Sequence, residues 1–275
     1  MKNEGNQSAM PGFETLRIPP GLSVMEEGKP FFIQGDSQAG CLLIHGFTGT
    51  SSSMLPMGEY LSSFGITVLG PRIPGHGTNV KDMSLYSHSD WIKTVEKALD
   101  ELASVCDRVF VAGLSMGGTL TLYLAEHHPD KISGIIPICA PVSRLAAGMQ
   151  QYALFLVPVL KHLIPFMPGP GNDLKDPNAK ETAYEKMSTK ALHELVKLVD
   201  TVKKNITRVK APARVFEARD DHVVPPENAT YIYENISSKD KKLIWLENSY
   251  HVATLDFDKE LIFKEAVDFI KQYSQ

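Results

Sequence analysis

Cysteine is scarce in this sequence, since only Cys41, Cys106 and Cys139 occur among 275 residues. The three are far apart and odd in number, which argues against a disulfide framework, a CxxC redox pair or cysteine-based metal ligation. Two of them fall within apolar runs that resemble strands. We therefore expect buried free thiols, no metal, and a reducing, cytoplasmic setting.

The sequence also lacks a basic excess and a long uninterrupted apolar run. Its formal net charge of -4 gives no long-range attraction for phosphate backbones or anionic lipid, so we expect no nucleic-acid partner. The most apolar stretch, residues 152–167, is interrupted by prolines, a lysine and a histidine, and it is too short to cross a bilayer of about 30 Å. We expect no stable membrane insertion. Residues 1–11 are polar and predict no secretory signal.

What the sequence does contain is ample apolar material for a globular core, at 43% hydrophobic residues. From residue 39 onward, short apolar runs alternate with amphipathic segments of helical period. The apolar runs cover residues 41–45, 66–69, 108–112, 132–139, 214–218 and 243–246, and the helical patterns cover residues 52–63, 89–103, 116–127, 228–235 and 259–272. This alternation predicts an α/β fold with a mostly parallel central sheet flanked by helices.

Two segments fall outside this alternation. Residues 1–38 hold strand-like pieces at 13–18 and 31–34 between turn-forming residues, and they predict an N-terminal arm or peripheral strands. Residues 141–210 show no convincing strand, but they contain an apolar piece, a loop rich in proline and glycine, and a strong amphipathic helix. We therefore predict a small helical cap, inserted into a core formed by residues 39–140 and 211–275.

A candidate nucleophile lies in a Gly-Leu-Ser-Met-Gly sequence centred on Ser115. The pentapeptide alone is a weak signal and could be a turn with a capping serine, but here it joins a strand pattern to a helix pattern. A serine on such a turn has a strained backbone, and Gly113 and Gly117 avoid a collision across it. The turn raises the Ser115 hydroxyl above the sheet and places the Met116 N–H at the positive end of a helix. We expect that N–H to bind an oxyanion.

The second oxyanion donor is expected in the loop that follows an earlier strand ending in His45 and Gly46. Our candidate is the N–H of Phe47. Gly46 allows the backbone to approach a substrate closely. We expect His45 to hold this loop by hydrogen bonds. His76, at the end of another strand, either lines the pocket or serves as a turn histidine.

Candidates for the acid and the base follow two late strands. Asp220 and Asp221 lie just beyond the strand at 214–218, at the carboxyl end where catalytic groups gather in open α/β sheets. His251 follows the last strand, which is where the base lies when a triad has the chain order serine, acid, histidine. The residues alone leave both aspartates open as the acid.

Four segments together carry a family resemblance: Leu-Ile-His-Gly-Phe-Thr-Gly from residue 43, Gly-Pro-Arg-Ile-Pro-Gly-His-Gly-Thr from 70, Gly-Leu-Ser-Met-Gly-Gly from 113, and Asp-His-Val-Val-Pro-Pro from 221. From about residue 30 onward, the sequence closely resembles bacterial carboxylesterases and monoacylglycerol lipases of the thermostable Geobacillus/Bacillus type. The resemblance implies an α/β-hydrolase fold and a helical cap over an acyl pocket. It also implies a triad of Ser115, Asp221 and His251, with the amides of Phe47 and Met116 as the oxyanion hole. Asp221 is favoured over Asp220 because the family acid directly precedes the His-Val-Val segment.

The expected activity is hydrolysis of short- to medium-chain acyl esters or monoacylglycerols through an acyl-serine intermediate, with no cofactor. Acyl transfer, C–C bond hydrolysis, a slow-turnover ligand receptor and a protein that docks partners through its cap stay open as alternatives. The expected partner is a small acyl ester, and monomer and homodimer are both open. The candidate substrate-binding residues are Gly46, Leu114, Tyr152, Phe155, Leu156, Leu160, Phe166 and Val223.

Overall fold

The computed structural model describes residues 11–146 and 154–274, and its centre is a seven-stranded sheet. The strands are β1 Phe31–Ile33, β2 Ala39–Ile44, β3 Thr67–Gly70, β4 Arg108–Leu114, β5 Gly134–Ile138, β8 Ala213–Ala218 and β9 Lys241–Leu246. Their order is β1-β3-β2-β4-β5-β8-β9. Only β1 is antiparallel to its neighbour, and all other pairs within this sheet are parallel. The predicted mostly parallel sheet is confirmed.

Helices cover both faces of the sheet. They are α1 Leu55–Ser62, α2 Val80–Met83, α3 His88–Ala103, α4 Met116–His127, α5 Val157–Leu160, α6 Thr189–Asn205, α7 Glu227–Asn235 and α8 Lys259–Ser274. Residues of α1 and α8 form the apolar cluster on one face, and residues of α3, α4, α6 and α7 form the cluster on the other. Among the described residues, no helix is both long enough and apolar enough to cross a bilayer.

Strand β2 shows why the buried strands appear in the sequence as unbroken apolar runs. Leu42 and Ile44 pack into one apolar cluster, whereas Cys41 and Leu43 pack into the other. Successive side chains of a strand point to opposite faces, and helices cover both faces here, so every position of the strand is apolar. The cysteines are buried free thiols, as the sequence predicted.

The N-terminal segment differs in part from its prediction. The strand expected at residues 31–34 is present as β1, but the strand expected at 13–18 is wrong, because Glu14–Leu16 forms a short 3-10 helix. The carboxylate of Glu101 on α3 accepts hydrogen bonds from the backbone N–H of Glu14, at 2.7 Å, and from the backbone and side chain of Thr15. These bonds occupy backbone donors that a sheet would otherwise use.

Between β5 and β8, the described chain contains α5, a small hairpin and α6. The hairpin consists of β6 Phe166–Pro168 and β7 Lys186–Ser188, which pair antiparallel, so the prediction of no strand in this segment is wrong. Helix α6 packs against α3 and α4, within the same apolar cluster. The boundaries 141 and 210 of the predicted cap stay a prediction.

Candidate active site

Ser115 occupies the turn between β4 and α4 with φ 55° and ψ -119°. Few residues with a side chain adopt a positive φ, and such a conformation persists only where the surroundings enforce it. Here the Ser115 N–H donates to the Ile138 carbonyl at 2.8 Å, and the Ser115 carbonyl accepts from the Thr119 N–H at 3.1 Å. The turn is thus fixed by both the neighbouring strand and the following helix.

The glycines around Ser115 are required by close backbone contacts. A Cβ atom at Gly113 would lie 2.2 Å from the Gly117 carbonyl oxygen, and one at Gly117 would lie 2.0 Å from the Ile44 carbonyl oxygen. At Gly118, a Cβ atom would lie 2.6 Å from the Cβ of Ala140, which explains how α4 packs so closely on the sheet. The tight turn at Ser115, which the sequence predicted, therefore depends on the absence of side chains at these positions.

The loop after β2 passes directly beside the candidate nucleophile. A Cβ atom at Gly46 would lie 3.3 Å from the Cβ of Ser115, and Gly46 and Phe47 line the same cavity as Ser115. Met116 is the first residue of α4. The structure thus brings the two residues predicted to form the oxyanion hole next to Ser115.

Two buried histidines support this loop. The Nε2 of His45 accepts a hydrogen bond from the Ile73 N–H at 3.2 Å, and its Nδ1 lies 2.9 Å from the Gly46 carbonyl oxygen. Burial lowers the pKa of His45 to about 4, so the ring is neutral and its Nδ1–H donates to Gly46. His76 packs edge-on against His45 and Phe47 and is absent from the described cavity wall. These contacts agree with the role expected for His45, and they favour the turn role over the pocket-lining role for His76.

The two candidate acids have different surroundings. The Oδ2 of Asp221 lies 2.7 Å from the Nδ1 of His251, and its Oδ1 accepts from the N–H groups of Val223 and Val224 at 2.8 and 2.7 Å. Asp220 is instead exposed, with its Oδ2 3.7 Å from the Nζ of Lys175. The structure thus brings Asp221 to His251, and it leaves Asp220 in solvent.

His251 combines burial with a negative environment. Burial lowers its pKa, but the carboxylates of Asp221, Glu181 and Asp173 raise it, and the net result is a pKa above the ordinary value. Because Nδ1 faces Asp221, the Nε2 atom is the one free to accept a proton. Ser115 and His251 line the same cavity, so the three groups can act in proton transfer from a hydroxyl.

The cavity beside Ser115 has a volume of about 550 Å³ and a mostly apolar wall. Of the predicted substrate-binding residues, Gly46, Leu114, Leu160 and Val223 line it. The wall also contains apolar residues outside the candidate substrate-binding set, namely Leu145, Leu154, Val157, Met167, Met187, Leu192 and Leu195. The spacing of three between Leu154, Val157 and Leu160 is the helical signal that could have found this wall.

Three predicted substrate-binding residues do not line the described cavity. Phe155 and Leu156 are 77% and 58% exposed, because the short turn that carries them presents Leu154 to the cavity instead. Phe166 lies in β6 and is also absent from the cavity wall. Tyr152 lies outside the described residues.

Acidic side chains that were not predicted from the sequence lie near the candidate acid and base. Glu181 lines the cavity and is 8% exposed, and burial raises its pKa to about 7, against the opposing charge of His251. Glu217 lies within β8 and is fully buried. An acidic residue between two buried apolar residues of β8 was a usable signal for Glu217, whereas Glu181 lies in a loop without any pattern.

Two further aspartates connect, by hydrogen bonds, the loop after β6 to the loop that carries His251. The Oδ2 of Asp173 accepts from the N–H of His251 at 3.1 Å and from that of His222 at 3.2 Å. Asp256 is fully buried and accepts from the N–H groups of Tyr250 and Lys175 at 2.9 and 2.7 Å. These bonds hold the segment around His251 in place.

One group among the described residues has a spacing suited to a metal ion. Cys139, Asp221 and His251 offer donor atoms within 4.8 Å of one another. Burial raises the pKa of the Cys139 thiol well above its usual value, which disfavours the thiolate that binds metals. Since Asp221 and His251 bond directly to each other, the arrangement is explained by an acid–base pair beside a buried thiol.

Comparison with known proteins is consistent with this geometry. Residues 35–258 match the family model Hydrolase_4, described as serine aminopeptidase, S33. The chain is 44% identical to the thermostable monoacylglycerol lipase of Bacillus sp. (strain H-257), over 91% of this chain and 97% of that protein. It is 31% identical to a carboxylesterase of Bacillus subtilis (strain 168), over 89% of this chain and 96% of that protein.

A solved structure gives the same result for the fold. It comes from work on LipS and LipT, two metagenome-derived lipolytic enzymes, and it matches with a TM-score of 0.85 at 40% identity. The match covers 91% of this chain and all of the other chain. Together with the family match, it confirms the predicted α/β-hydrolase fold and the resemblance stated from the sequence.

Proposed function

The chain belongs to the Hydrolase_4 (serine aminopeptidase, S33) family of α/β-hydrolases, and we propose that Ser115, Asp221 and His251 are the catalytic triad with which it cleaves carboxylic esters. The observation that carries this proposal is the Asp221–His251 contact of 2.7 Å, next to a cavity that Ser115 and His251 line together. The relatives make it a serine hydrolase of esters. They do not favour acyl transfer, C–C cleavage or a receptor role.

The proposed mechanism is acyl transfer in two steps. The Oγ of Ser115 attacks the ester carbonyl carbon while Nε2 of His251 takes the hydroxyl proton. The amides of Phe47 and Met116 bind the oxyanion, and each such donor contributes about 2.7 to 4 kcal/mol to the transition state. His251 then protonates the departing alcohol. Water, activated by His251, hydrolyses the acyl-enzyme.

Asp221 has two tasks in this mechanism. Its bond to Nδ1 of His251 keeps the imidazole in the tautomer that leaves Nε2 unprotonated, and its charge stabilises the imidazolium that forms. The backbone donors of Val223 and Val224 hold the Asp221 carboxylate in position. The acid is thus oriented by its own loop.

The acyl chain of the substrate is proposed to occupy the apolar part of the cavity. We propose that residues 141–210 act as a cap over it, with Leu154, Val157 and Leu160 forming the inner surface of the cap. A cavity of about 550 Å³ lies within the range of small-molecule sites. This volume and its apolar wall favour short- to medium-chain acyl groups.

Glu181 is proposed to bind the alcohol portion of the substrate. Its carboxyl group lies at the cavity wall, near His251, and the absence of a side chain at Gly49 leaves space for it, since a Cβ there would lie 2.5 Å from the Glu181 Oε1. A buried carboxyl group in an apolar cavity needs a hydrogen-bond partner, and the free hydroxyls of a glycerol ester provide one. This favours monoacylglycerols over simple alkyl esters.

We also propose a cytoplasmic location, because Cys41, Cys106 and Cys139 are all free thiols, a state that a reducing compartment maintains.

The function is tested by hydrolysis of p-nitrophenyl esters with acyl chains from about two to about sixteen carbons, alongside monoacylglycerols of the same lengths. We expect a maximum of kcat/KM at short to medium length and a decline for the longest chains, because the cavity fills. Titration of released acid and release of p-nitrophenol measure the two series. Absence of hydrolysis for every ester would refute the proposed function.

The role of Glu181 is tested by Glu181→Gln and Glu181→Ala. We expect kcat/KM for monoacylglycerols to fall about 10-fold or more in the alanine variant, because a hydrogen bond to a charged group is lost. The p-nitrophenyl ester of the same acyl chain, which has no glycerol hydroxyls, should change far less at a pH where His251 is neutral. Glu185→Gln, at an exposed glutamate of the same segment, is the matched control. Equal losses on both substrates would show that Glu181 does not recognise glycerol.

A further inference from the structure

Glu217 is a buried acidic residue that the proposed mechanism does not use. It lies near the end of β8, its side chain is fully buried, and neither carboxyl oxygen accepts a hydrogen bond from a donor within the described residues. Unpaired carboxyl groups are rarely kept inside a protein, since burial without compensation is costly. Its position beside Asp221, the proposed acid, suggests a role in the proposed site.

The groups that face Glu217 come from two neighbouring segments. Cys139 follows β5, and its N–H donates to the Phe216 carbonyl at 2.9 Å, which places it beside β8. Asp221 follows β8, and its contact partner His251 follows β9. Asp221 and Cys139 are the described side chains with the largest effects on Glu217, and neither is a cation.

This environment favours the protonated form of Glu217. Burial raises its pKa well above the usual value, and the charge of Asp221 raises it further, while contact with Cys139 opposes this. A protonated carboxyl group has one O–H donor. In that form, Glu217 is a hydrogen-bond donor beside the carboxyl group of Asp221.

Asp221 has room for one more hydrogen bond. A carboxylate has about four acceptor positions. Three of those of Asp221 are occupied, by the N–H groups of Val223 and Val224 and by Nδ1 of His251. No other donor among the described residues bonds to Asp221, so its fourth position is open.

We propose that Glu217 is a positioning residue whose protonated carboxyl group donates its hydrogen to the fourth acceptor position of Asp221, and so fixes the orientation and basicity of the acid. The proposal rests on the proposed triad of Ser115, Asp221 and His251. The donated hydrogen spreads the charge of Asp221. Without it, Asp221 attracts the His251 proton more strongly, which raises the pKa of His251.

The sign of the pH effect follows from this. Hydrolysis needs neutral His251, so the acidic limb of the kcat/KM profile reports its pKa. For Glu217→Leu, which removes the donor, we expect this limb to move to higher pH by about 0.5 to 1 unit and kcat on the plateau to fall several-fold. For Glu217→Gln, which is neutral and still a donor, we expect the limb to stay in place.

Glu126 provides a matched control. It is the other glutamate, among the described residues, with both carboxyl oxygens buried and without a hydrogen bond, and burial raises its pKa to about 9. It lies eleven residues beyond Ser115 along α4, about 16 Å at the rise of a helix. Glu126→Leu and Glu126→Gln should leave the acidic limb unchanged.

A spectroscopic measurement does not depend on activity or on the leucine variant folding. Infrared spectra of the unmutated protein and of Glu217→Gln at neutral pH should differ by one protonated-carboxyl band. In Asp221→Asn, which removes the charged acceptor, that band should shift to the frequency of a more weakly bonded acid. NMR titration of His251 in the folded Glu217 variants should reproduce the kinetic shifts.

The absence of a protonated-carboxyl band would overturn the proposal, and so would a band that Asp221→Asn leaves unchanged. An acidic limb that moves to lower pH in Glu217→Gln would also overturn it, because that shift is expected if the substitution removes a negative charge. A folded Glu217→Leu variant with the original limb would also overturn it. If the triad variants themselves kept full activity, the proposed function would fail. Loss of activity in those variants, together with an unshifted profile for folded Glu217→Leu, would refute only this inference.

Discussion

Replacement of Ser115 by alanine should lower kcat for the best ester by about 10⁶-fold, because no other group can form the acyl intermediate once the hydroxyl is lost. The variant should still fold. Alanine has the same Cβ as serine, so the strained backbone at φ 55° is no worse, and the bonds of the turn to Ile138 and Thr119 involve only main-chain atoms. The melting temperature should therefore be nearly unchanged. Both kcat and the melting temperature should be measured for the variant and the unmutated protein.

Ser143→Ala is the matched control for this loss. Ser143 lies between cavity-lining residues 141 and 145, and its Oγ bonds to the Asn228 side chain at 3.1 Å, away from the proposed chemistry. We expect at most a small change in kcat for this variant. A fluorophosphonate probe should label the unmutated protein and Ser143→Ala, and it should fail to label Ser115→Ala. Labelling of the Ser115 variant would assign the nucleophile elsewhere.

The strands that helices cover on both faces of the sheet were predictable from the sequence. Strands β2 and β4 form apolar runs because helices cover both sides of the sheet, and α4 begins at the predicted Met116 because the glycine-flanked elbow leaves no other start. The segment at 13–18 failed because Glu101, remote in sequence, supplies the acceptor that turns it into a 3-10 helix. The β6–β7 hairpin was missed because its strands span only three residues each.

The candidate site also contains residues that were predictable from the sequence and residues that were not. Ser115 and His251 could be selected because each follows a recognisable strand, and the ends of parallel strands meet at one edge of a sheet. The strand before Asp220 and Asp221 left both open as the acid, and the family resemblance favoured Asp221. Which side chain of the turn 154–156 faces the cavity depends on how that turn packs, so Phe155 was chosen where Leu154 lines the wall. The carboxyl group of Glu181 reaches the cavity through a loop contact that no local pattern encodes.

The assignment of Asp221 can be separated from that of its neighbour by one amide substitution at each position. Asp221→Asn should lower kcat by about 10⁴-fold, because the amide presents a different pattern of donors to Nδ1 of His251 and cannot stabilise the imidazolium. Asp220→Asn should cost far less, since its carboxylate is exposed and its contact with Lys175 is a weak surface ion pair at 3.7 Å.

Measurement of kcat for both variants on one ester, with the melting temperature of each, makes this comparison direct. Asparagine is close to aspartate in size, and its side-chain oxygen can still accept from Val223 and Val224, so the loop around position 221 should persist. A loss of activity in Asp221→Asn with an intact fold would then report charge and tautomer alone. The reverse ranking, with Asp220→Asn the more damaged, would mean that the loop reorganises during the reaction and that the 2.7 Å contact with His251 is not the catalytic one.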